Sequence, residues 1–239
     1  MPAFLVHGVP DTAMLWDGIR KHLDRSDIVA PSMPGFATPV PDGFDATKDA
    51  YVAWLITSVE EVGEPVDIVG HDWGALLVQR LVSLRPDLVR TWAAGSGPLD
   101  TDYVWHETAK IWQTPDAGEK LMKALTPDAM TGALASQGLE PAYARAVSEL
   151  IDEPMKTCIL ALYRSATKVA EDWTPLASPC PPGLVLWGAD EPGGPAEYGQ
   201  RLAERTGAKF VRFEGTSHWW PHQRAAEAAA LLNEHWASV

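Results

Sequence analysis

The sequence predicts an α/β fold with a mainly parallel sheet. Short apolar segments recur along the chain, and their length is typical of buried parallel strands. Most of them are separated by segments in which apolar residues lie three and four positions apart, as on one face of a helix. Hydrophobic residues make up 46% of the 239 residues, which is enough for a full core in one domain. Alternating strands and helices give a parallel sheet that is covered on both faces.

Six segments are predicted to be strands. They are Ala3–Val6, Asp27–Ala30, Val66–Val69, Thr91–Ala94, Gly183–Trp187 and Phe210–Phe213. Four segments of the predicted core have the periodicity of amphipathic helices, namely Leu15–Leu23, Ala46–Val62, Ala75–Leu84 and Gln223–Trp236.

The alternation stops between about Leu99 and Pro182. Helical patterns follow one another in this region, and three prolines then interrupt the chain before the next predicted strand. We therefore predict a core formed by residues 1–98 and 183–239 and a helical lid formed by residues 99–182. The alternative is that these helices only cover the sheet. The predicted lid helices are Tyr103–Trp112, Gly118–Ala124, Pro141–Ile151 and Met155–Val169.

The net charge of −13 limits the classes of partner. A strongly acidic chain repels nucleic acid and anionic membrane surfaces, so neither is expected as the main partner. Cys158 and Cys180 are too few for a disulfide framework, and the sequence shows no signal peptide or membrane span. We therefore expect a cytoplasmic protein, while the oligomeric state stays open.

No cofactor is expected from the sequence. The histidines lack metal-ligand spacing on one helix face, and the two cysteines lie far apart. The chain also has no glycine-rich loop of the kind that binds phosphate. The predicted chemistry therefore uses side chains, backbone groups and water.

The motif GHDWG, residues 70–74, is the strongest functional signal in the chain. It joins a predicted strand directly to a predicted helix, which is the context of a nucleophile elbow. Such a turn lifts its middle residue, here Asp72, above the carboxyl end of the sheet, where parallel sheets hold reactive groups. The alternative is a tight turn in which Asp72 caps the helix. His71 is interpreted as a packing residue.

Four motifs together resemble those of the α/β-hydrolase superfamily. They are HGVP (residues 7–10), GHDWG (70–74), WGADEP (187–192) and SHWWPH (217–222). An elbow aspartate followed by tryptophan is similar to the branch of epoxide hydrolases and haloalkane dehalogenases. The resemblance implies an α/β-hydrolase fold over essentially the whole chain. Because that family usually has two strands before the His-Gly loop, it also implies a sheet truncated at the N-terminal edge.

An aspartate nucleophile indicates attack on saturated carbon. A carboxylate that attacked an acyl group would form a labile anhydride, whereas attack on a strained ring or on a carbon with a leaving group forms an ordinary ester. Water must then hydrolyse the ester on Asp72. The resemblance implies that His218, which follows the last predicted strand, is the general base for this step.

The base requires a carboxylate that fixes its tautomer and orientation. In the resembling families this acid usually stands three residues after the glycine of the WGADEP motif, which indicates Glu191. Aspartate is more frequent than glutamate at that position, so Asp190 is the first alternative. Asp100 is the second, because some dehalogenases supply the acid after the preceding strand.

The resemblance also implies the groups that stabilise negative charge. The backbone N–H groups of Val9 and Trp73 are the implied oxyanion donors. An opening epoxide requires an acidic O–H, and the segment around Tyr163 is similar to the tyrosine–arginine segment of epoxide hydrolase lids. A second tyrosine commonly assists there, and Tyr143 and Tyr103 are both candidates.

A departing halide would instead require N–H donors. Trp73 has the right position for one, and Trp105, Trp112 or Trp173 could supply a second indole. Many haloalkane dehalogenases carry asparagine where Val9 stands, so an epoxide hydrolase is the favoured interpretation and a haloalkane dehalogenase is the alternative.

Two more distant alternatives belong to other classes. A carboxylesterase would require an elbow serine, and neither Ser96 nor Ser217 lies in an elbow. A binding protein on the same fold would typically have lost the base or the acid. The predicted lid is rich in Ala, Leu, Met and Trp, so we expect a small to medium apolar organic substrate that reacts with water.

Overall fold

The computed structural model describes residues 1–239 and contains one sheet of six strands. Every neighbouring pair is parallel, in the order β2-β1-β3-β4-β5-β6. The predicted parallel sheet is therefore confirmed, and each predicted strand is present with ends shifted by two residues or fewer. The strands are β1 (Ala3–Val6), β2 (Ile28–Val29), β3 (Val66–His71), β4 (Val89–Gly95), β5 (Gly183–Gly188) and β6 (Lys209–Phe213).

Twelve α-helices and two short 3-10 helices, Ala13–Trp16 and Pro86–Leu88, accompany the sheet. None is long and apolar enough to cross a membrane. The α-helices are α1 (Asp17–Arg20), α2 (Lys48–Glu60), α3 (Trp73–Leu84), α4 (Glu107–Gln113), α5 (Ala117–Ala124), α6 (Pro127–Ser136), α7 (Pro141–Leu150), α8 (Glu153–Ser165), α9 (Val169–Asp172), α10 (Ala196–Thr206), α11 (Trp220–Gln223) and α12 (Ala225–Ala237).

Both faces of the sheet are buried, because side chains alternate between the faces along each strand. In β1, Phe4 and Val6 pack in a core with residues of α2, α3 and α10. Ala3 and Leu5 point the other way, into a core with residues of α1 and α12. Burial on both faces explains why these strands are continuous apolar segments in the sequence.

Several predicted helices have different bounds in the structure; α4, for example, begins at Glu107 and not at Tyr103. Ala46 has a positive φ of 54° and cannot start a helix, so α2 begins after Thr47, whose side chain accepts the N–H of Ala50. The helix predicted over Leu15–Leu23 is a 3-10 turn followed by the single turn of α1. The helices α6 and α10 and the single-turn helices α9 and α11 were not predicted.

The chain between β4 and β5 forms the six helices α4 to α9 and contributes no strand to the sheet. The helix α4 packs against α5 and α8, and α6 packs against α7. Several of these helices lie over the carboxyl ends of the strands, where they line a cavity described below. That this region acts as a lid stays a prediction.

A buried carboxylate fastens the opposite end of the sheet. Asp67 in β3 is fully buried and accepts hydrogen bonds from Arg25 (2.8 Å), Arg90 and Thr91 (2.7 Å). Arg90 also donates to the backbone oxygen of Trp236 in α12. One side chain thereby joins neighbouring strands to the C-terminal helix.

We expect Asp67→Ala to lower the free energy of unfolding by about 3 kcal/mol, because it leaves the partly buried Arg90 without a side-chain carboxylate and removes one of the two carboxylates that Arg25 contacts. The matched control is Asp87→Ala, which removes an exposed partner of Arg85 and should change stability little. Urea unfolding measures both variants. Equal losses of stability in the two variants would contradict this assignment.

Candidate active site

Asp72 occupies a strained turn between β3 and α3. Its φ of 54° and ψ of −124° lie outside the helical and extended regions, which is costly for a residue with a side chain. The side chain does not cap α3. Asp72 therefore stands at the N-terminus of the helix without acting as its cap, and its carboxylate is free for other contacts.

Close backbone packing holds this turn in place. A Cβ atom on Gly74 would lie 2.1 Å from the backbone oxygen of Val6, so only glycine fits there. The backbone N–H of Asp72 donates to the oxygen of Gly95 at the end of β4 (3.0 Å). The turn is thus fixed by the two strands on either side of β3.

Three side chains from separate loops meet at the carboxyl ends of the strands. His218 Nδ1 lies 2.8 Å from Glu191 Oε2, and His218 Nε2 lies 3.7 Å from Asp72 Oδ2. The other oxygen of Glu191 accepts the backbone N–H of Gly193 (2.9 Å). The geometry is that of a nucleophile, a base and an orienting acid.

The other two acids considered for this role lie elsewhere. Asp190 is exposed. Asp100 is buried, but its carboxylate forms ion pairs with Arg201 (3.1 Å) and Arg205 (2.7 Å). The structure therefore brings Glu191, and neither Asp190 nor Asp100, to His218.

The two oxygens of Asp72 have different surroundings. Oδ1 accepts the backbone N–H of Val9 at 2.7 Å, whereas Oδ2 is the oxygen nearest His218. The N–H groups of Val9 and Trp73 both stabilise the carboxylate, although burial outweighs them and raises the pKa of Asp72. Both predicted oxyanion donors thus lie at the same carboxylate.

The charges around His218 control its protonation. Burial disfavours the imidazolium, but the carboxylates of Glu191 and Asp72 outweigh burial and raise the pKa of His218 to about 9. Burial likewise disfavours the Glu191 carboxylate, while the charge and hydrogen bond of His218 hold its pKa below the usual value. The pair is therefore an ion pair at neutral pH.

His71 supports the loop that carries His218. Its Nε2 lies 2.8 Å from the backbone oxygen of His218 and donates to it. Burial and the nearby charge of His218 lower the pKa of His71 well below the usual value, so its ring stays neutral. This contact fits the predicted packing role.

A cavity of about 470 Å³ lies above Asp72 and is lined mostly by apolar and aromatic side chains. Trp73 and Trp105 stack with ring centroids 5.8 Å apart, and Tyr163 packs edge-on against Trp73 at 5.4 Å. No lysine or arginine lines the cavity. Apart from Asp72, Glu191 and His218, its walls carry no charged side chain at neutral pH.

The predicted tyrosines occupy different places. Tyr163 is buried in the cavity wall, and burial together with the charge of Asp72 raises its pKa well above the usual value. Tyr103 also lines the cavity and donates its hydroxyl to the backbone oxygen of Gly193 (3.1 Å). The role of Tyr143 as a substrate contact stays a prediction. Tyr143 lies outside the cavity wall, because its hydroxyl donates to Asp11 instead (3.0 Å).

The four candidate indole donors differ in whether the indole N–H already has a hydrogen-bond partner. Trp105 donates to the oxygen of Ala166 (3.2 Å), and Trp173 donates to Asp49 (2.9 Å). The indole nitrogens of Trp73 and Trp112 are buried without a hydrogen-bond partner, and both residues line the cavity.

Two buried polar residues near the site were missed in the sequence. Asp11 directly follows the HGVP motif, and burial raises its pKa to about 7 against hydrogen bonds from Thr12 and Tyr143. Ser96 lies just after β4 and lines the cavity. The position of an acid directly after a loop motif was the available signal for Asp11. No group of three or more His, Cys, Asp or Glu residues is arranged to hold a metal ion.

Comparison with known proteins places the chain among proteins of this architecture. A family model described as the alpha/beta hydrolase family matches residues 3–231. The chain belongs to the α/β-hydrolase family. This α/β-hydrolase has the fold that its motifs predicted, with no strand before β1 within the 239 residues.

Curated relatives of this α/β-hydrolase have several activities. An (E)-2-((N-methylformamido)methylene)succinate hydrolase of Acinetobacter baylyi is 24% identical over 210 residues, which cover 85% of this chain and 78% of the relative. A haloalkane dehalogenase of Psychrobacter cryohalolentis is 29% identical over 118 residues, 47% of this chain and 39% of the relative. The second alignment thus spans less than half of either protein.

Solved structures agree in fold. Haloalkane dehalogenase DbeA of Bradyrhizobium elkani superposes with a TM-score of 0.80 at 18% identity and covers 100% of this chain and 91% of its own. A thermophilic esterase of Thermogutta terrifontis superposes with a TM-score of 0.82 at 17% identity. The match covers 100% of this chain and 90% of the esterase chain. At such identities the likeness establishes the fold alone. Haloalkane dehalogenases occur among both the sequence and the structural matches.

We expect Glu191→Gln and Asp72→Asn each to lower the pKa of His218 from its value of about 9, because each removes a negative charge that stabilises the imidazolium. NMR titration of the histidine ring signals measures this change. The matched control is Asp190→Asn, which neutralises an exposed acid one residue from Glu191. A fall of the same size in the control would show that the effect is not specific to the site.

Proposed function

We propose that this α/β-hydrolase opens epoxides through a covalent ester on Asp72. The observation that carries the proposal is the cavity wall, where Tyr163 lies close enough to Asp72 for its pKa to respond to the charge of that residue. A tyrosine with a raised pKa keeps its proton at neutral pH and can donate it to an opening ring. Nucleophile, base and acid thereby share one enclosed site.

In the first step Oδ2 of Asp72 attacks a ring carbon, and the carbon–oxygen bond of the epoxide breaks. Oδ2 is the attacking atom because Oδ1 is already held by the N–H of Val9. The ring oxygen leaves as an alkoxide and takes the proton of Tyr163. The product of this step is an ester whose carbonyl oxygen is Oδ1.

In the second step water attacks the carbonyl carbon of the ester and His218 takes its proton. Esterification removes the negative charge of Asp72, so the pKa of His218 falls. The imidazolium then releases its proton, which restores Tyr163, and the neutral ring becomes available as a base. The N–H groups of Val9 and Trp73 stabilise the negative charge on Oδ1. Cleavage of the bond to Oδ2 releases the diol, which takes a proton from His218. The second proton of the water returns to His218 and restores the resting ion pair.

The cavity indicates an apolar substrate. Its walls are aromatic and aliphatic and contain no lysine or arginine that could bind a carboxylate. A succinate derivative, which the name of the Acinetobacter relative gives as that protein's substrate, lacks a partner here. Side chains of residues 99–182 supply much of the wall, so we propose that this region is the lid that selects the substrate.

A haloalkane dehalogenase is the second candidate, and one observation favours it. The indole N–H groups of Trp73 and Trp112 are buried at the cavity without a partner, and a halide ion could accept both. Attack by Asp72 and hydrolysis by His218 would proceed as above. The two candidates differ only in the group that stabilises the leaving atom, which is the Tyr163 hydroxyl for an epoxide and the two indole N–H groups for a halide.

We expect His218→Gln to stop at the covalent ester, because the variant lacks the base for hydrolysis. The variant is incubated separately with an aryl epoxide and with a 1-bromoalkane, and its intact mass is recorded. An epoxide adds its full mass, whereas a bromoalkane adds only its alkyl group. The control is Asp72→Asn, which should form no adduct. An alkyl adduct alone would make the chain a dehalogenase, and a wild-type protein that turns over neither compound would reject both candidates.

We expect Tyr163→Phe to lower kcat for the epoxide by about a hundredfold or more, because the variant loses the acid that protonates the ring oxygen. The matched variant Trp112→Phe removes an N–H at the same cavity and should leave epoxide turnover within a few fold of wild type. Steady-state diol formation measures both. If the chain is a dehalogenase, turnover of the bromoalkane should instead fall more in Trp112→Phe than in Tyr163→Phe.

A further inference from the structure

Ser96 holds an unfavourable backbone conformation beside the proposed catalytic groups. It follows directly after β4, and its φ of 54° lies in the left-handed region that favours glycine. The residue is 4% exposed and lines the cavity above Asp72. A serine kept where glycine would be less strained indicates that its side chain has a use.

The surrounding backbone leaves this residue little freedom. A Cβ on the next residue, Gly97, would lie 2.3 Å from the backbone oxygen of Asp72, so the loop packs directly on the elbow. The oxygen of Gly97 also accepts a hydrogen bond from the side chain of Gln79 (3.0 Å). The backbone next to Ser96 is therefore held by the elbow and by Gln79, which fixes the position of the Ser96 Cβ atom.

The hydroxyl of Ser96 is buried and makes no hydrogen bond in the resting structure. A buried hydroxyl without a partner is costly, which again indicates a group that it serves. The side chain of Glu191 is 2% exposed, and its carboxylate accepts only from His218 and Gly193. A carboxylate can accept about four hydrogen bonds, so Glu191 has acceptor capacity that water does not reach.

We propose that Ser96 is a positioning residue that holds Glu191 in the orientation in which it carries His218. The inference rests on the proposed function, because it assigns a role within the same reaction. Ser96 and Glu191 follow the paired ends of the neighbouring strands β4 and β5, and both line the cavity. Burial raises the pKa of Glu191, whereas His218 and, to a smaller extent, the hydroxyl of Ser96 lower it. Rotation of the serine side chain brings its O–H onto the carboxylate, and this contact holds Glu191 towards His218 while the ester is hydrolysed.

The test uses three variants of the full chain. Ser96→Ala removes the hydroxyl and keeps the strained backbone, whereas Ser96→Gly removes both the hydroxyl and the strain. The matched control is Ser148→Ala, because Ser148 is 2% exposed and donates its hydroxyl to the backbone of α7, away from the cavity. Glu191→Gln gives the pKa of His218 when the charge of the Glu191 carboxylate is removed completely.

In both Ser96 variants we expect the pKa of His218, followed by NMR titration, to fall by about one unit towards its value in Glu191→Gln. Turnover of the epoxide should fall about tenfold with KM little changed, because positioning acts on the chemical step. Ser96→Gly should also unfold at a higher temperature than Ser96→Ala, since relief of strain raises stability while activity stays low. The control should match wild type in the pKa of His218 and in kcat.

A His218 pKa that is unchanged or raised in Ser96→Ala would overturn the proposal. So would turnover within twofold of wild type, because a residue that only fills space would leave both quantities unchanged. The titration requires no substrate. A wild-type protein that turns over no epoxide would reject the proposed function, while the response of His218 to Ser96→Ala would still decide whether Ser96 positions Glu191.

Discussion

Asp72 adopts a backbone conformation that the chain would not choose by itself, and the contacts that impose it also assemble the site. The turn packs on β1 through Gly74 and is bonded to the end of β4 through its own N–H. Because parallel strands end at one edge, the loops after β1, β4, β5 and β6 reach the same point. The strain at Asp72 is offset by the sheet as a whole, so the reactive carboxylate stands clear of the helix that follows it.

The second constraint is electrostatic. The imidazole of His218 lies among the carboxylates of Glu191, Asp72 and Asp11, all of which favour its charged form. Burial opposes this charge but does not overcome it. The state of His218 is therefore tied to that of Asp72, and a reaction that neutralises Asp72 changes the strength of the base beside it. The same side chain can thus be an ion-pair partner at rest and a proton acceptor later.

The cavity adds selectivity to this centre. Its aromatic and aliphatic walls offer no lysine or arginine, so the charges near a bound molecule are those of Asp72, Glu191 and His218. The groups available to a leaving atom are the hydroxyl of Tyr163 and the free indole N–H groups of Trp73 and Trp112. The choice between an epoxide and a halide depends on which of these donors lies in line with the attack of Oδ2.

Local sequence was sufficient for the sheet, the elbow and the order of the main groups. Buried strands are continuous apolar segments, and the GHDWG turn requires glycines around a middle residue that stands above the sheet, so β3, α3 and Asp72 were predictable. The ends of helices were harder to predict, because the positive φ at Ala46 comes from loop packing, which the spacing of apolar residues does not show.

Tertiary structure alone decided that Glu191, and neither Asp190 nor Asp100, meets His218. It also decided that Tyr143 binds Asp11 outside the cavity. The physical reason is that short-range patterns fix which residues stand at strand ends. Which of those side chains is buried, and against what, depends on partners more than a hundred positions away.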